Sequence, residues 1–336
     1  MEPQVKALFN ESMLEVAKTL YPMDEGSLKL LGGFESFVYE YTLNQQAHIL
    51  KFTHSSHRTR DQIDSEFDFV NHLYQQGARV SKPVTTRHGN YTHRIPVDMG
   101  YFTMSSTEKA EGIRTKDLLT NPTLMDNYGQ TIGAFHRSTM TYQPSFNIDR
   151  RFTWYEDPLI VDARKYLDDT DLFILVELNS VIEAIKQIPM SLDNYGLIHT
   201  DIHAGNFLVD QNQNLTVFDF DDSAYFYFLS DIAIAIFYTV FFNPDRHEVS
   251  KPFIKALLKG YMKQHTLKKS DFLRIELFFK LRTLILYLAL KRSTQPTDPF
   301  TQKYNSIYFE DLKQHKPFLN LDYDVLYEEV QKESMV

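Results

Sequence analysis

The sequence predicts a two-lobed α+β protein, with a small antiparallel β-rich lobe followed by a larger, mainly helical one. Three observations lead there. The chain has 336 residues, room for about two units of roughly 150 residues each. Its first third carries short apolar runs joined by links too short for a parallel crossover. From about Ile113 onward, helical spacing of apolar residues takes over.

Val5, Leu8, Phe9, Met13, Val16, Ala17 and Leu20 recur at helical spacing, which predicts an amphipathic helix over residues 3–20, ended by Pro22. Three strand-like runs follow, Leu28–Leu31, Phe37–Leu43 and Ala47–Phe52. Gly32-Gly33 separates the first two, and Asn44-Gln45-Gln46 the last two. Such links require an antiparallel meander. Ile63, Phe67, Val70 and Leu73 predict a helix over 61–76, stopped by Gly77. Strands are expected at Val84–Arg87 and Tyr101–Ser106, giving the order β-β-β-α-β-β. Within the helical part, Phe207–Val209 and Thr216–Phe218 flank the polar run 210–214 and read as a β-hairpin. The division is expected as a first lobe over 1–107, a hinge over 108–112 and a helical lobe over 113–336. So short a hinge should leave the lobes touching, with a cleft between them.

Composition narrows the class. Hydrophobic residues make up 43% and charged residues 24%, as in an ordinary soluble protein. With 26 Phe and 20 Tyr, aromatic rings should carry much of the core. The net charge of −9 disfavours attraction to nucleic acid or anionic lipid, so neither is expected as a partner. The apolar stretch Ile232–Phe242 is about half the ~20 residues a membrane span needs, and reads as a buried helix. Cysteine is absent, which removes thiolate metal sites and fits a reducing cytoplasm. The opening MEPQVKALFNESML has no long apolar core and is not expected to act as a signal peptide.

The chemistry concentrates in GLIHTDIHAGNFLVDQNQNLTVFDFDD, residues 196–222. Asp201 and Asn206 lie five apart on a loop entering the hairpin, and Asp219 lies at its far end. A hairpin brings its ends together, so the three should converge. Two carboxylates and an amide oxygen are hard ligands, suited to Mg²⁺. The spacing fits phosphoryl transfer: one Asp orients the attacking hydroxyl, an Asn five residues on holds a metal, and a later Asp bridges metal and phosphates.

HTDIHAGN followed by FDFDD resembles the signature of the aminoglycoside phosphotransferase / choline kinase family, H-x-D-x-H-x-G-N and then a D-x-D-type motif. The resemblance extends over nearly the whole chain and implies a protein-kinase-like fold with ATP and Mg²⁺ as cofactors. It implies Asp201 as the catalytic base, with Asn206 and Asp219 as metal ligands. Lys51, in AHILKFT, matches the lysine on the α- and β-phosphates, and Glu66 the helix glutamate that pairs with it. In the hinge Thr107–Gly112, the C=O of Glu108 and N–H of Ala110 would read adenine. LGGFESFVYEY lacks the protein-kinase G-x-G-x-x-G, which leaves phosphate contact to backbone N–H groups and Ser36.

The other residues of the motif are expected to support the site. A zinc site at His199, Asp201 and His203 would leave Asn206 and Asp219 unexplained. His199 reads instead as a brace of the loop, and His203 as a site-shaping residue. Asp221 and Asp222 are neighbouring carboxylates, the latter also a turn-former. Asp231 suits a helix N-terminus, and in the resembling family an Asp there braces the catalytic loop. His136 reads as a packed helix residue and Arg282 as a structural arginine, while Trp154 and Tyr155 are assigned to the core rather than to a substrate pocket. The expected function is ATP- and Mg²⁺-dependent phosphorylation of a hydroxyl on a small molecule: an aminoglycoside, amino alcohol, hydroxy amino acid or sugar. The alternatives are a protein Ser/Thr kinase, disfavoured by the missing glycine after Asp219-Phe220, and a non-catalytic nucleotide-binding protein, disfavoured by intact Lys51, Asp201, Asn206 and Asp219.

Overall fold

The computed structural model describes residues 3–33, 35–145 and 147–334. The chain forms two compact units: residues 1–112, 142–151 and 216–221 in the first, and 113–141, 152–215 and 222–336 in the second.

The first unit opens with two helices, α1 (Pro3–Lys6) and α2 (Glu11–Leu20), where the spacing predicted one. The break lies at Asn10, whose side chain accepts from the N–H of Ser12 and caps α2. Asparagine competes for backbone donors and so starts helices better than it continues them. The strands are β1 (Lys29–Gly32), β2 (Ser36–Leu43) and β3 (Gln46–His54), then, after α3 (Arg60–Gln75), β4 (Pro83–Val84), β5 (Thr92–Val97) and β6 (Gly100–Glu108). All pair antiparallel, in the order β1-β2-β3-β6-β4, with β5 also on β6. Met13, Ala17 and Leu20 of α2 pack with Tyr39, Tyr41, Leu50, Phe52, Phe102 and Met104, the aromatic-rich core of this unit. Strand alternation then turns Lys51, between buried Leu50 and Phe52, to the opposite face.

Two distant segments complete this unit. Val217 bridges Val80 in parallel, with Ser81 N–H donating to its carbonyl at 2.9 Å. The Tyr142 hydroxyl donates to Asp68 at 2.9 Å, and Phe69 packs edge-on to Phe220.

The second unit contains α4 (Pro122–Thr139), α5 (Pro158–Val161), α6 (Phe173–Lys186), β7 (Tyr195–Ile198) and β8 (Phe207–Val209). The strand β9 (Leu215–Val217) carries the division between units and forms the predicted hairpin with β8. The hairpin turn is closed by Asp210, whose carboxylate accepts from the N–H groups of Asn212 and Asn214. β10 (Ala224–Tyr227) pairs antiparallel with β7, a sheet the sequence pattern did not reveal. The rest is helical: α7 (Leu229–Val240), α8 (Arg246–Met262), α9 (Lys269–Ser293), α10 (Pro299–Lys313) and α11 (Tyr323–Ser334). The apolar run 232–242 falls on α7 as far as Val240, and that helix is buried along most of its length. Among the described residues, no helix is long and apolar enough to cross a membrane.

Helices α4 and α8 approach closely because glycines line their contact. A Cβ on Gly129 would lie 1.8 Å from the Leu257 carbonyl oxygen, and one on Gly260 2.0 Å from that of Asp126. The same helix α4 carries His136, which meets Asp231 of α7 and Tyr261 of α8.

Candidate active site

The loop that carries the H-x-D-x-H-x-G-N motif runs from the end of β7 to the start of β8 and is held by Asp231 of α7. One Asp231 oxygen accepts from Thr200 N–H at 2.8 Å, the other from His199 N–H at 3.1 Å. His136 Nε2 lies 3.2 Å from that second oxygen, and its Nδ1 2.9 Å from the Tyr261 hydroxyl. His136 and Asp231 are fully buried. Burial lowers the pKa of His136 against the opposing pull of Asp231. The sequence correctly reads His136 as a packed histidine, yet it also steadies the loop's main anchor.

Thr200 adopts a left-handed conformation (φ 62°), and its hydroxyl donates to the Asp222 carbonyl at 2.6 Å. His199 is buried and its Nδ1 accepts from Asp201 N–H at 3.3 Å. The Tyr128 hydroxyl donates to the Ile202 carbonyl at 2.6 Å. The loop backbone is therefore pinned on both sides of Asp201.

The Asp201 carboxylate is partly exposed and surrounded by donors. Asn206 Nδ2 donates to its Oδ2 at 3.0 Å and to its carbonyl at 2.9 Å. His203 Nε2 is 3.3 Å from the same Oδ2, and Arg282 Nη2 donates to Oδ1 at 2.5 Å. Burial works to raise the Asp201 pKa, but the charge of Arg282 and the His203 contact outweigh it and hold the pKa below the usual carboxylate value. The carboxyl is therefore ionised at neutral pH. Gly205 N–H donates to His203 Nδ1 at 2.9 Å, and a Cβ at Gly205 would lie 2.5 Å from that ring. Glycine is needed there for the ring to keep its place. With its nitrogen committed to Asp201, Asn206 leaves Oδ1 without a partner among the described residues.

In the first unit, Lys51 Nζ donates to Asp219 Oδ1 at 2.6 Å. Asp219 sits in a left-handed conformation (φ 66°) two residues past β9. Burial opposes the Lys51 charge, but Asp219 and Glu66 outweigh it and raise its pKa. Glu66, on α3 and buried, is raised to about 7 by burial and by the charge of Asp221, against the pull of Lys51 and Arg151. Lys51 and Glu66 thus feel each other's charge, while the direct hydrogen bond of Lys51 goes to Asp219.

Asp221 is the anchor of the FDFDD segment. His57 Nε2 lies 2.8 Å from its Oδ2 and Arg58 Nη2 3.4 Å away, while Arg58 Nε and Arg151 Nη2 donate to its carbonyl. Burial opposes ionisation of Asp221, but the His57 hydrogen bond and the Arg58 charge hold its pKa far below the usual value. At the other end of this unit, Glu108 N–H donates to the Lys82 carbonyl and Lys109 N–H to that of Ala47. Ala110 is buried, and its N–H has no acceptor among the described residues. The Ser36 hydroxyl lies 2.8 Å from that of Thr53.

A family model described as a phosphotransferase enzyme family matches residues 27–266. The chain belongs to that family. Among curated proteins, the amicoumacin kinase of Bacillus subtilis (strain 168) is 31% identical over 290 residues, 84% of this chain and 85% of that one. Among solved structures, the amicoumacin kinase hAmiN in complex with AMP-PNP, Ca²⁺ and Ami superposes with a TM-score of 0.91 at 29% identity, covering 97% of this chain and all of the other. A microcompartment-associated aminopropanol kinase shares the fold, with a TM-score of 0.73 at 19% identity over 88% of this chain and 94% of the other. The fold is the protein-kinase-like α+β fold, and the chain is a small-molecule phosphotransferase.

In this phosphotransferase the second unit brings together Asp201, Asn206, His203, His199, Asp231 and the Asp222 backbone. The first brings together Lys51, Asp219 and Asp221, with Glu66 nearby. Sequence reasoning missed the His57, Arg58 and Arg151 contacts with Asp221, and took Arg282 for a structural residue. The signal available for Arg282 was a cation next to the apolar run LILYLAL on a helix. Trp154 is core, stacked on Phe226 at 4.6 Å, but Tyr155 is 42% exposed and so departs from the expected core assignment.

Proposed function

We propose that this phosphotransferase moves the γ-phosphoryl group of ATP, with Mg²⁺, onto a hydroxyl of a small molecule, and that its acceptor is amicoumacin. The observation that carries the reading is an ionised, donor-surrounded Asp201 beside an Asn206 amide whose oxygen is unpaired. The nucleotide and divalent cation are supported by the AMP-PNP and Ca²⁺ in the amicoumacin kinase structure, and the acceptor by the names of that relative and its Bacillus subtilis counterpart.

In this reading Asp201 accepts a hydrogen bond from the acceptor hydroxyl and aims its oxygen at the phosphorus. As the new O–P bond forms, the bond from phosphorus to the β–γ bridging oxygen breaks. The products are ADP and a phosphate monoester, with the hydroxyl proton received by Asp201. Asn206 Oδ1 and the second oxygen of Asp219 are the hard donors that would hold Mg²⁺. When bound, Mg²⁺ neutralises charge developing on the phosphoryl oxygens. Lys51 steadies the α- and β-phosphates, with Glu66 biasing its position. Ser36 and nearby backbone N–H groups contact phosphate. The Ala110 N–H and Glu108 carbonyl meet the adenine edge, and residues 108–112 act as a hinge between the lobes.

Purified protein with Mg·ATP and a panel of acceptors tests this: amicoumacin, aminoglycosides, choline, ethanolamine, homoserine, hydroxylysine, sugars and, as a protein control, casein. Mass spectrometry should find a phosphorylated product with amicoumacin. Phosphorylation of casein alone, or of no acceptor, would contradict the reading.

A further inference from the structure

We propose that Arg282 is a positioning residue for the reaction, holding the Asp201 carboxylate in the orientation that receives the acceptor hydroxyl. This rests on the assignment of Asp201 as the residue that orients that hydroxyl.

A carboxylate offers about four acceptor directions. At Asp201, Asn206 and His203 occupy the two on Oδ2, and Arg282 occupies one on Oδ1. The direction that remains is on Oδ1, the oxygen Arg282 holds. The guanidinium is itself fixed. Its Nη2 also donates to the Tyr238 hydroxyl, and its carbon lies 4.8 Å from the centre of that ring. The His203 ring centre lies 4.8 Å from that of Tyr238. Tyr238 on α7 therefore braces both side chains that flank Asp201.

Stability alone gives little reason for arginine here. Arg282 neighbours buried Leu281 and Thr283 on α9, and its Nε is buried with no hydrogen-bond partner among the described residues. A desolvated cation with an unmatched N–H is costly, and a buried ion pair as a whole can commonly be replaced by apolar residues at no loss, although removing one partner alone leaves the other charge uncompensated. What arginine supplies and methionine would not is the grip on Asp201.

The test compares Arg282→Met, Asp201→Asn and the double variant, using Mg·ATP with amicoumacin, and phosphate release to water as a second acceptor reaction. Arg282→Met leaves the Asp201 charge short of one partner, so its melting temperature should be at or below that of the parent, and rates are compared per folded molecule. Its kcat should fall at least about tenfold while KM for ATP is unchanged, since only an interaction expressed in the transition state is removed. In the Asp201→Asn background, Arg282→Met should cost nothing more, because a residue that acts through Asp201 is silent without it. A kcat within about twofold of the parent per folded molecule, or independent losses that multiply in the double variant, would overturn the proposal. If Asp201→Asn collapses turnover and Arg282→Met does not, only this inference falls. If Asp201→Asn is fully active, the assignment beneath it falls too. Should Arg282→Met fail to fold, Arg282→Lys decides: reduced kcat at unchanged KM for ATP supports positioning, and full kcat refutes it.

Discussion

Lys51 and Asp219, 168 residues apart in sequence, are joined by a hydrogen bond of 2.6 Å from Nζ to Oδ1. The bond ties the middle of β3 to the residue proposed as a metal ligand, and it leaves the second Asp219 oxygen for a cation.

Lys51→Ala should therefore lower kcat/KM for ATP by about 10²-fold, the scale on which loss of one donor aimed at developing charge is felt. Glu66→Ala acts only through the field at Lys51 and should cost less. Steady-state kinetics with ATP varied at saturating acceptor would check the order of the two effects. A larger loss in Glu66→Ala would show that Lys51 is steadied by α3 more than by Asp219.

Asn206→Ala and Asp219→Ala each remove a hard oxygen. Affinity for Mg·ATP should fall by about 10- to 100-fold, the range in which even outer partners of a metal site matter. ATP binding measured in EDTA should change little. Calorimetric titrations with and without Mg²⁺ separate the two, and unchanged Mg·ATP curves in both variants would refute the metal assignment.

Much of this was legible in sequence because the signals were local. The meander, α3 and the β8–β9 hairpin announced themselves through apolar runs and turn residues. The strand β5 did not: Thr92–Val97 includes His93, Arg94 and Pro96, and among the described residues it pairs with β6 alone, so it lacks the apolar pattern of a central strand. The β7–β10 sheet was hidden for the opposite reason, since its aromatic run, AYFY, reads equally well as helix or general core. The motif residues Asp201, Asn206 and Asp219 stood out by spacing. Their supports did not, because Arg282 is 81 residues from Asp201, and His57 is 164 from Asp221. No periodicity reports contacts made by chain return over such distances.

The α4–α8 contact makes a separate prediction about stability. Gly129→Ala would gain up to about 1 kcal/mol of helix propensity. It would also drive a methyl to within 1.8 Å of the Leu257 carbonyl oxygen, and overpacking of this kind costs about 1–3 kcal/mol or more. Overpacking should win, and denaturant unfolding should show net destabilisation.

His136 predicts a pH dependence of stability. Its pKa is lowered in the folded protein by burial, against about 6.5 in the unfolded chain. As pH falls through that unfolded value, the unfolded state takes up a proton that the folded state refuses, so stability is lost on acidification. Each such group contributes a slope of at most about 1.4 kcal/mol per pH unit. Denaturation midpoints between about pH 7 and pH 5 should fall less steeply in His136→Gln than in the parent, bracketing the unfolded value. An identical slope would mean that the folded protein admits the proton.

Transfer from [γ-³²P]ATP to amicoumacin by the parent and by Asp201→Asn decides whether an ionised Asp201 orients the acceptor hydroxyl for attack on ATP. Asparagine keeps the shape and removes the charge. Mg·ATP binding should survive, while transfer falls by about 10²–10⁴-fold, the usual worth of a positioned base. Transfer by Asp201→Asn at close to the parental rate would show that the Asp201 charge does not orient the hydroxyl.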